Sequence, residues 1–230
     1  MLAARALVRR YPTPAGPLTV LDGVDLQVRA GESWAIQGPS GSGKSTLLHL
    51  LAGLDRPTSG GVWWGGTAVH ELDPEAAARA RAGRVGLVFQ QHHLLADLTA
   101  LENVTLPGRV HGRPDRARGL ALLESVDLRG RADAVPRTLS GGERLRVAVA
   151  RALYGSPRVV LADEPTGSLD RASADTVVEA LLRAAAADGA AVVLVTHDER
   201  VAVRADRRAW LDEGRLIGDP RTSDATTPGG

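Results

Sequence analysis

Gly38-Pro39-Ser40-Gly41-Ser42-Gly43-Lys44-Ser45-Thr46 contains the single lysine of the chain. The other Lys/Arg positions are all arginine. A coding bias toward Arg, Ala and Gly explains the missing lysines but not the one retained. Arginine is a planar fork on a bulky head, whereas lysine is a compact ammonium with rotatable donors. A tight backbone cradle around an oligophosphate needs the compact cation, and G-x-x-x-x-G-K-S is the phosphate-loop spacing. Its glycines permit positive φ and close backbone approach, so successive N–H groups converge on one anion. Upstream, Ser33-Trp34-Ala35-Ile36-Gln37 reads as a short buried strand. Downstream, Leu47 to Leu51 reads as the start of a helix whose N-terminal dipole adds to the anion site. Strand, glycine loop and helix in this order predict an α/β fold.

The bulk properties exclude several function classes. A length of 230 residues allows one large domain. The net charge of +1 gives no basic field, so no nucleic-acid partner is expected. The absence of cysteine excludes disulfides, thiolate zinc sites and cysteine nucleophiles. No apolar run reaches the length of a membrane span, so work at a membrane goes through a partner. Residues 1–10 carry arginines without a long apolar stretch or cleavage site and do not read as a signal peptide.

Outward from the loop, residues 2–10 and 18–28 alternate like strands on either side of a Pro/Gly-rich break, which predicts an antiparallel hairpin. Residues 58–61 read as a turn, 61–69 as a short β segment, 74–82 as a helix and 85–89 as a buried strand. From Gln91 to Tyr154 helical periodicity dominates, over 100–104, 116–126 and 142–154, and Thr99 with Glu102 resembles a capping box. Residues 158–162 and 191–195 are buried strands, 173–187 and 199–204 helices, and 209–216 a closing hairpin around Glu213-Gly214. Residues 219–230 are polar and Pro/Gly-rich and are expected to form a disordered tail. Strands alternating with helices imply a mainly parallel sheet covered on both faces, with residues 91–154 as an inserted helical subdomain.

Two further constellations carry chemistry. Val159-Val160-Leu161-Ala162-Asp163-Glu164 is an apolar strand that delivers a carboxylate to the sheet's C-terminal edge. Asp163 is expected to hold Mg²⁺ together with Ser45, and Glu164 to polarise an attacking water. Leu139-Ser140-Gly141-Gly142-Glu143 leads into a helix and makes a second anion-receiving N-terminus. A chain that binds one nucleotide at Lys44 has no use for this second site unless it closes over the nucleotide of another copy.

With these parts in order, the chain resembles the ATP-binding cassette (ABC) ATPases from Tyr11 to Gly218. Residues 38–46 match the Walker A loop, Gln90 the Q-loop glutamine and residues 139–143 the signature. Residues 159–164 match Walker B, Ser168-Leu169-Asp170 the D-loop and His197 the switch histidine. The resemblance implies a RecA-like P-loop NTPase core with an antiparallel β subdomain and a helical subdomain, in one domain over residues 1–218. It implies two copies paired head to tail around two ATP. By the same resemblance, Ser45 and Gln90 would ligate Mg²⁺, His197 would contact the γ-phosphate and Tyr11 would stack on adenine. Ser140, Gly141 and Gly142 would reach the γ-phosphate in trans, and Asp170 would couple the two sites. Glu143 and Ser168 depart from the common Gln and Asn, and Leu145 stands where the subgroup named below often has Gln.

Residues 86–107, Gly86 to Pro107, closely resemble the segment after the Q-loop in lipoprotein-releasing and macrolide-exporter ATPases, with Ala96 in place of a common proline. Cell-division and antimicrobial-peptide-resistance ATPases have similar segments. The family docks a transmembrane permease there, near residues 90–107, and Leu94, Leu95 and Leu98 are candidates for an apolar groove. The implied location is the cytoplasmic face of the inner or plasma membrane, peripheral through the permease. The alternative is a soluble ABC ATPase acting on nucleic acid or the ribosome. Such proteins generally carry two cassettes, a coiled-coil insertion or zinc modules, none of which is visible here. A GTPase would need Asn-Lys-x-Asp, which the single lysine, already used, rules out.

Overall fold

The computed structural model describes residues 1–110, 112, 114–167 and 169–218. The expectations for Ser168 and for residues 219–230 lie outside these residues. The strands are β1 (Leu2–Tyr11), β2 (Leu18–Val28), β3 (Ser33–Gln37), β4 (Ser59–Trp64), β5 (Thr67–Ala68), β6 (Val85–Val88), β7 (Val159–Asp163), β8 (Ala191–Val195), β9 (Arg207–Asp212) and β10 (Arg215–Gly218). The helices are α1 (Lys44–Leu51), α2 (Pro74–Arg81), α3 (Ala100–Val110), α4 (Arg116–Ser125), α5 (Gly141–Leu153), α6 (Arg171–Ala187) and α7 (Glu199–Ala202).

The expected hairpin is present: β1 and β2 are antiparallel from Leu2↔Val28 to Tyr11↔Leu18. β4 pairs with the other side of β1, and the small sheet has the order β2-β1-β4-β5. Residues 59–61, read from sequence as part of a turn, are the first half of β4, because Val8↔Ser59 and Arg5↔Gly61 pair across β1. The large sheet has the order β10-β9-β3-β8-β7-β6. Its pairs from β9 to β6 are parallel, and only β10 runs antiparallel to its neighbour.

Strands buried on both faces lose polar alternation, and all five residues of β8 are buried. Successive side chains of β7 feed different cores. Val160 and Ala162 pack with Leu145, Val149, Val177 and Leu181 of α5 and α6. Leu161 packs with Leu47, Leu48 and Leu51 of α1 and with Leu7 and Val24 of the small sheet. The three α1 leucines are fully buried, each contributing about 1.5–3 kcal/mol. The P-loop helix is thereby clamped between the two sheets, which fixes its N-terminus.

Between β6 and β7, helices α3, α4 and α5 bury Leu101, Val104, Leu122, Leu123 and Leu145 against one another. The sequence pattern ends the first of these helices at Val104, before Pro107, but α3 runs to Val110. Burial of one face, which carries most helix stability in proteins, outweighs the hydrogen bond that proline cannot donate. Residues 91–99 are turns and loop rather than helix. Fully buried Asn103 holds them, accepting from Leu95 N at 2.8 Å and donating to the Leu95, Leu98 and Thr99 carbonyls at 3.0–3.1 Å. The Thr99–Glu102 box forms reciprocally, at 2.9 and 3.2 Å.

Candidate nucleotide site

β3 ends at Gln37 and the chain enters the loop at Gly38. A Cβ there would lie 2.2 Å from the Leu211 carbonyl oxygen of β9, so only glycine fits. Gly43, with φ of 100°, caps α1, and its Cβ would lie 2.9 Å from the Val20 carbonyl oxygen of β2. Two neighbouring backbones thus press the loop into a cradle. Lys44 is only 8% exposed. Its Nζ donates to the carbonyls of Gly38 and Pro39, both at 2.9 Å. Ser42 Oγ is buried in the same loop without a hydrogen-bond partner. A buried hydroxyl left so costs about 1–3 kcal/mol. A buried ammonium and an orphan hydroxyl inside a glycine cradle fit a polyphosphate.

The magnesium donors also fit. α1 starts one residue before Ser45, whose Oγ donates to Asp163 Oδ1 at 3.1 Å. Asp163 ends β7, and burial raises its carboxyl above the usual range while the Ser45 hydrogen bond pulls it down. A hydroxyl and a carboxylate within reach of each other form a hard oxygen pair suited to Mg²⁺. Gln90 is exposed, one residue past Phe89, and a Cβ on Gly167 would lie 2.9 Å from its Nε2. Its amide therefore sits over the loop that follows β7.

Glu164 begins that loop with φ of 42°, a left-handed conformation unusual for a residue with a side chain. Its N–H donates to the Val195 carbonyl at 3.0 Å. His197 follows β8 by two residues, and its Nδ1 lies 3.0 Å from both carboxylate oxygens of Glu164. This contact ties the ring to the carboxylate.

Ser140 caps α5 with a full capping box: Ser140 N donates to Glu143 Oε2 at 2.8 Å, and Glu143 N donates to Ser140 Oγ at 3.1 Å. Glu143, a departure in the sequence, is the box's acidic partner. The Ser140 N–H, above all, holds its pKa below the usual range, and Arg131 pairs with it at 3.1 Å. The helix N-terminus at Gly141 and Gly142 offers N–H donors that the helix does not use. Asp170 caps α6, accepting from Ser173 N at 3.1 Å. A Cβ on Gly142 would lie 3.5 Å from Ser173 Cβ, so the two helix N-termini are side by side. Among the described residues, no hydrogen bond joins Ser140–Gly142 to the phosphate loop. Ser140→Ala is expected to cost about 1 kcal/mol of stability, lowering the melting temperature by about 2–4 °C; circular dichroism melts check it.

The phosphate loop and the Asp163 carboxylate meet at one edge of the large sheet, joined by the Ser45–Asp163 hydrogen bond. The family described as ABC transporter matches residues 21–167. This chain belongs to the ABC transporter family. The lipoprotein-releasing system ATP-binding protein LolD 1 of Rhodopirellula baltica is 47% identical over 94% of this chain and 96% of its own. The LolD of Xanthomonas euvesicatoria pv. vesicatoria is 47% identical over 94% and 90%. The macrolide export ATP-binding/permease protein MacB 1/2 of Paracoccus denitrificans is 45% identical over all of this chain but 35% of its own length. Among solved structures, the dimer of MJ0796, a bacterial ABC transporter cassette, superposes with a TM-score of 0.85 at 38% identity, covering 94% of this chain and 96% of that one. The ABC ATPase fold expected from sequence is thus the observed one.

Several contacts in this ABC cassette had no sequence signal. Tyr11 ends β1, and its hydroxyl donates to Asp55 Oδ2 at 2.9 Å, an arrangement set by tertiary folding alone. His92 and His93, just past Gln90, have φ of 62° and 45°. Arg151 of α5 donates to both of their carbonyls, at 2.6 and 2.5 Å, and burial lowers its pKa. The Gln90 loop is thereby fastened to the helix that carries the signature.

Proposed function

We propose that this ABC ATPase binds Mg·ATP, pairs head to tail with a second copy around two nucleotides, and drives a separate transmembrane permease. One observation carries the reading. The anion site at Ser140–Gly142 has no hydrogen bond to the phosphate loop of its own chain, among the described residues. Pairing of two copies gives it a use, and the dimers of MJ0796 support that arrangement.

The roles follow. Backbone N–H groups from Gly41 to Lys44 surround the phosphates, and Lys44 exchanges its two carbonyl partners for β- and γ-phosphate oxygens. Ser45, Asp163 and Gln90 hold magnesium, which neutralises phosphate charge when bound. Glu164 takes the proton of the attacking water. His197, its ring held by Glu164, contacts the γ-phosphate. Ser140, Gly141 and Gly142 donate to the nucleotide of the other copy, and Asp170 beside them couples the two sites. Tyr11 stacks on the base.

The names of the LolD and MacB relatives support a permease of the lipoprotein-release or macrolide-export type. It docks near residues 90–107, where Leu95 is half-exposed while Leu94 packs on the core. No helix among the described residues is long and apolar enough to cross a membrane. We place the chain, peripheral, on the cytoplasmic face of the inner or plasma membrane, with residues 1–218 as one domain and 91–154 as its helical subdomain. Light scattering on Glu164→Gln tests the pairing. The mass should double only with Mg·ATP; a mass unaffected by saturating Mg·ATP rejects the shared site.

A further inference from the structure

We infer that Arg9 and Asp55 are positioning residues for the nucleotide base: they fix the Tyr11 ring and tie it to the phosphate-loop helix. The inference rests on the reading of Tyr11 as the base-stacking residue. Tyr11 pairs with Leu18 at the end of the β1–β2 hairpin. Two residues on, Val20 abuts Gly43 at the start of α1. The ring therefore lies at the phosphate-loop end of the small sheet. Among the described residues, no backbone hydrogen bond of the hairpin reaches the ring's hydroxyl.

Two side chains hold the ring. The guanidinium carbon of Arg9 stands 4.3 Å from the Tyr11 ring centroid, within cation–π range. Arg9 Nη2 donates to Asp55 Oδ1 at 2.9 Å, and the Tyr11 hydroxyl donates to Asp55 Oδ2 at 2.9 Å. One carboxylate thus holds both the ring's polar end and the cation packed on its face. Arg9 Nε is buried without a partner, so the guanidinium gives up one hydrogen bond in this pose. With one face covered, the ring has one face left for a purine.

Asp55 comes from the turn after α1. Its N–H and that of Leu54 both donate to the His49 carbonyl in the last turn of that helix, at 3.4 and 2.9 Å. The same helix begins at Lys44. Ring, Asp55, α1 and phosphate loop form one connected body, so the distance between base and phosphates is built into the cassette. The side chains of Arg9 and Asp55 are 21% and 30% exposed and belong to neither core cluster, although Asp55 Oδ1 also accepts from Arg56 N at 2.7 Å, so the pyrophosphate titration below doubles as the control for folding.

The test is calorimetric titration of the whole chain with Mg·ADP and with Mg·pyrophosphate, which lacks a base. Arg9→Gln and Asp55→Ala are each expected to weaken ADP by about fivefold while leaving pyrophosphate within about twofold. Arg9→Lys, which keeps a cation over the ring, should recover most of the loss. In a Tyr11→Ala chain, adding either substitution should leave ADP affinity within about twofold, because both act through the ring. Equal weakening of both ligands overturns the proposal, as does an undiminished effect in the Tyr11→Ala chain. Unchanged ADP affinity in Tyr11→Ala alone removes the stacking reading, and the proposal with it.

Discussion

Lys44→Ala is expected to weaken Mg·ATP binding by at least about 100-fold, from the loss of two charge-assisted hydrogen bonds worth about 1.5–3 kcal/mol each. The geometry makes this the most damaging single change in the loop. Lys44 is 8% exposed and already points inward, with Nζ on the Gly38 and Pro39 carbonyls. A phosphate oxygen offers that ammonium a charged partner in place of neutral ones. Lys44→Arg is expected to fail as well, although arginine keeps the charge. The loop is pressed by the Leu211 and Val20 carbonyls on either side, and a planar fork needs more width than an ammonium. This is the physical reason a chain otherwise built with arginine keeps one lysine. Titration with Mg·ATP checks both variants; wild-type affinity in Lys44→Ala would remove the loop from the phosphate role.

The parts legible in sequence were those fixed by local rules. The glycine spacing around Lys44, the unbroken apolar run of β8 and the carboxylate at the end of β7 each follow from neighbours within a few residues. The parts that were not legible depend on contacts distant along the chain. Arg9 and Asp55 are 46 positions apart, and Arg151 lies 58 and 59 positions from the turn it holds. No periodicity marks such pairs. The end of α3 was missed for a different reason: the apolar periodicity stops at Val104, but the helix continues through Pro107 to Val110. Glu143 was visible as a departure in the signature, and only the α5 N-terminus shows what it does: a carboxylate at the third helical position completes a capping box.

Glu164→Gln is expected to retain Mg·ATP binding and to slow turnover by about 10²–10⁴, the usual contribution of a positioned general base. The substitution preserves size, and its amide oxygen can still accept from the His197 N–H, which now lies 3.4 Å from Glu164 Oε2. What it removes is the capacity to take a proton. The strained backbone at Glu164 argues that position matters here. A φ of 42° is held by an N–H to the Val195 carbonyl, and the side chain is 17% exposed. The carboxylate is thereby aimed rather than left to solvent. His197 depends on it in turn, since Nδ1 contacts both of its oxygens at 3.0 Å and this contact orients the ring. His197→Ala should therefore slow turnover without matching the loss in Glu164→Gln, because the carboxylate survives. Steady-state ATPase rates paired with nucleotide titration separate the two steps. Wild-type turnover in Glu164→Gln would take Glu164 out of the base role and leave the water to be activated by another group at the end of β7.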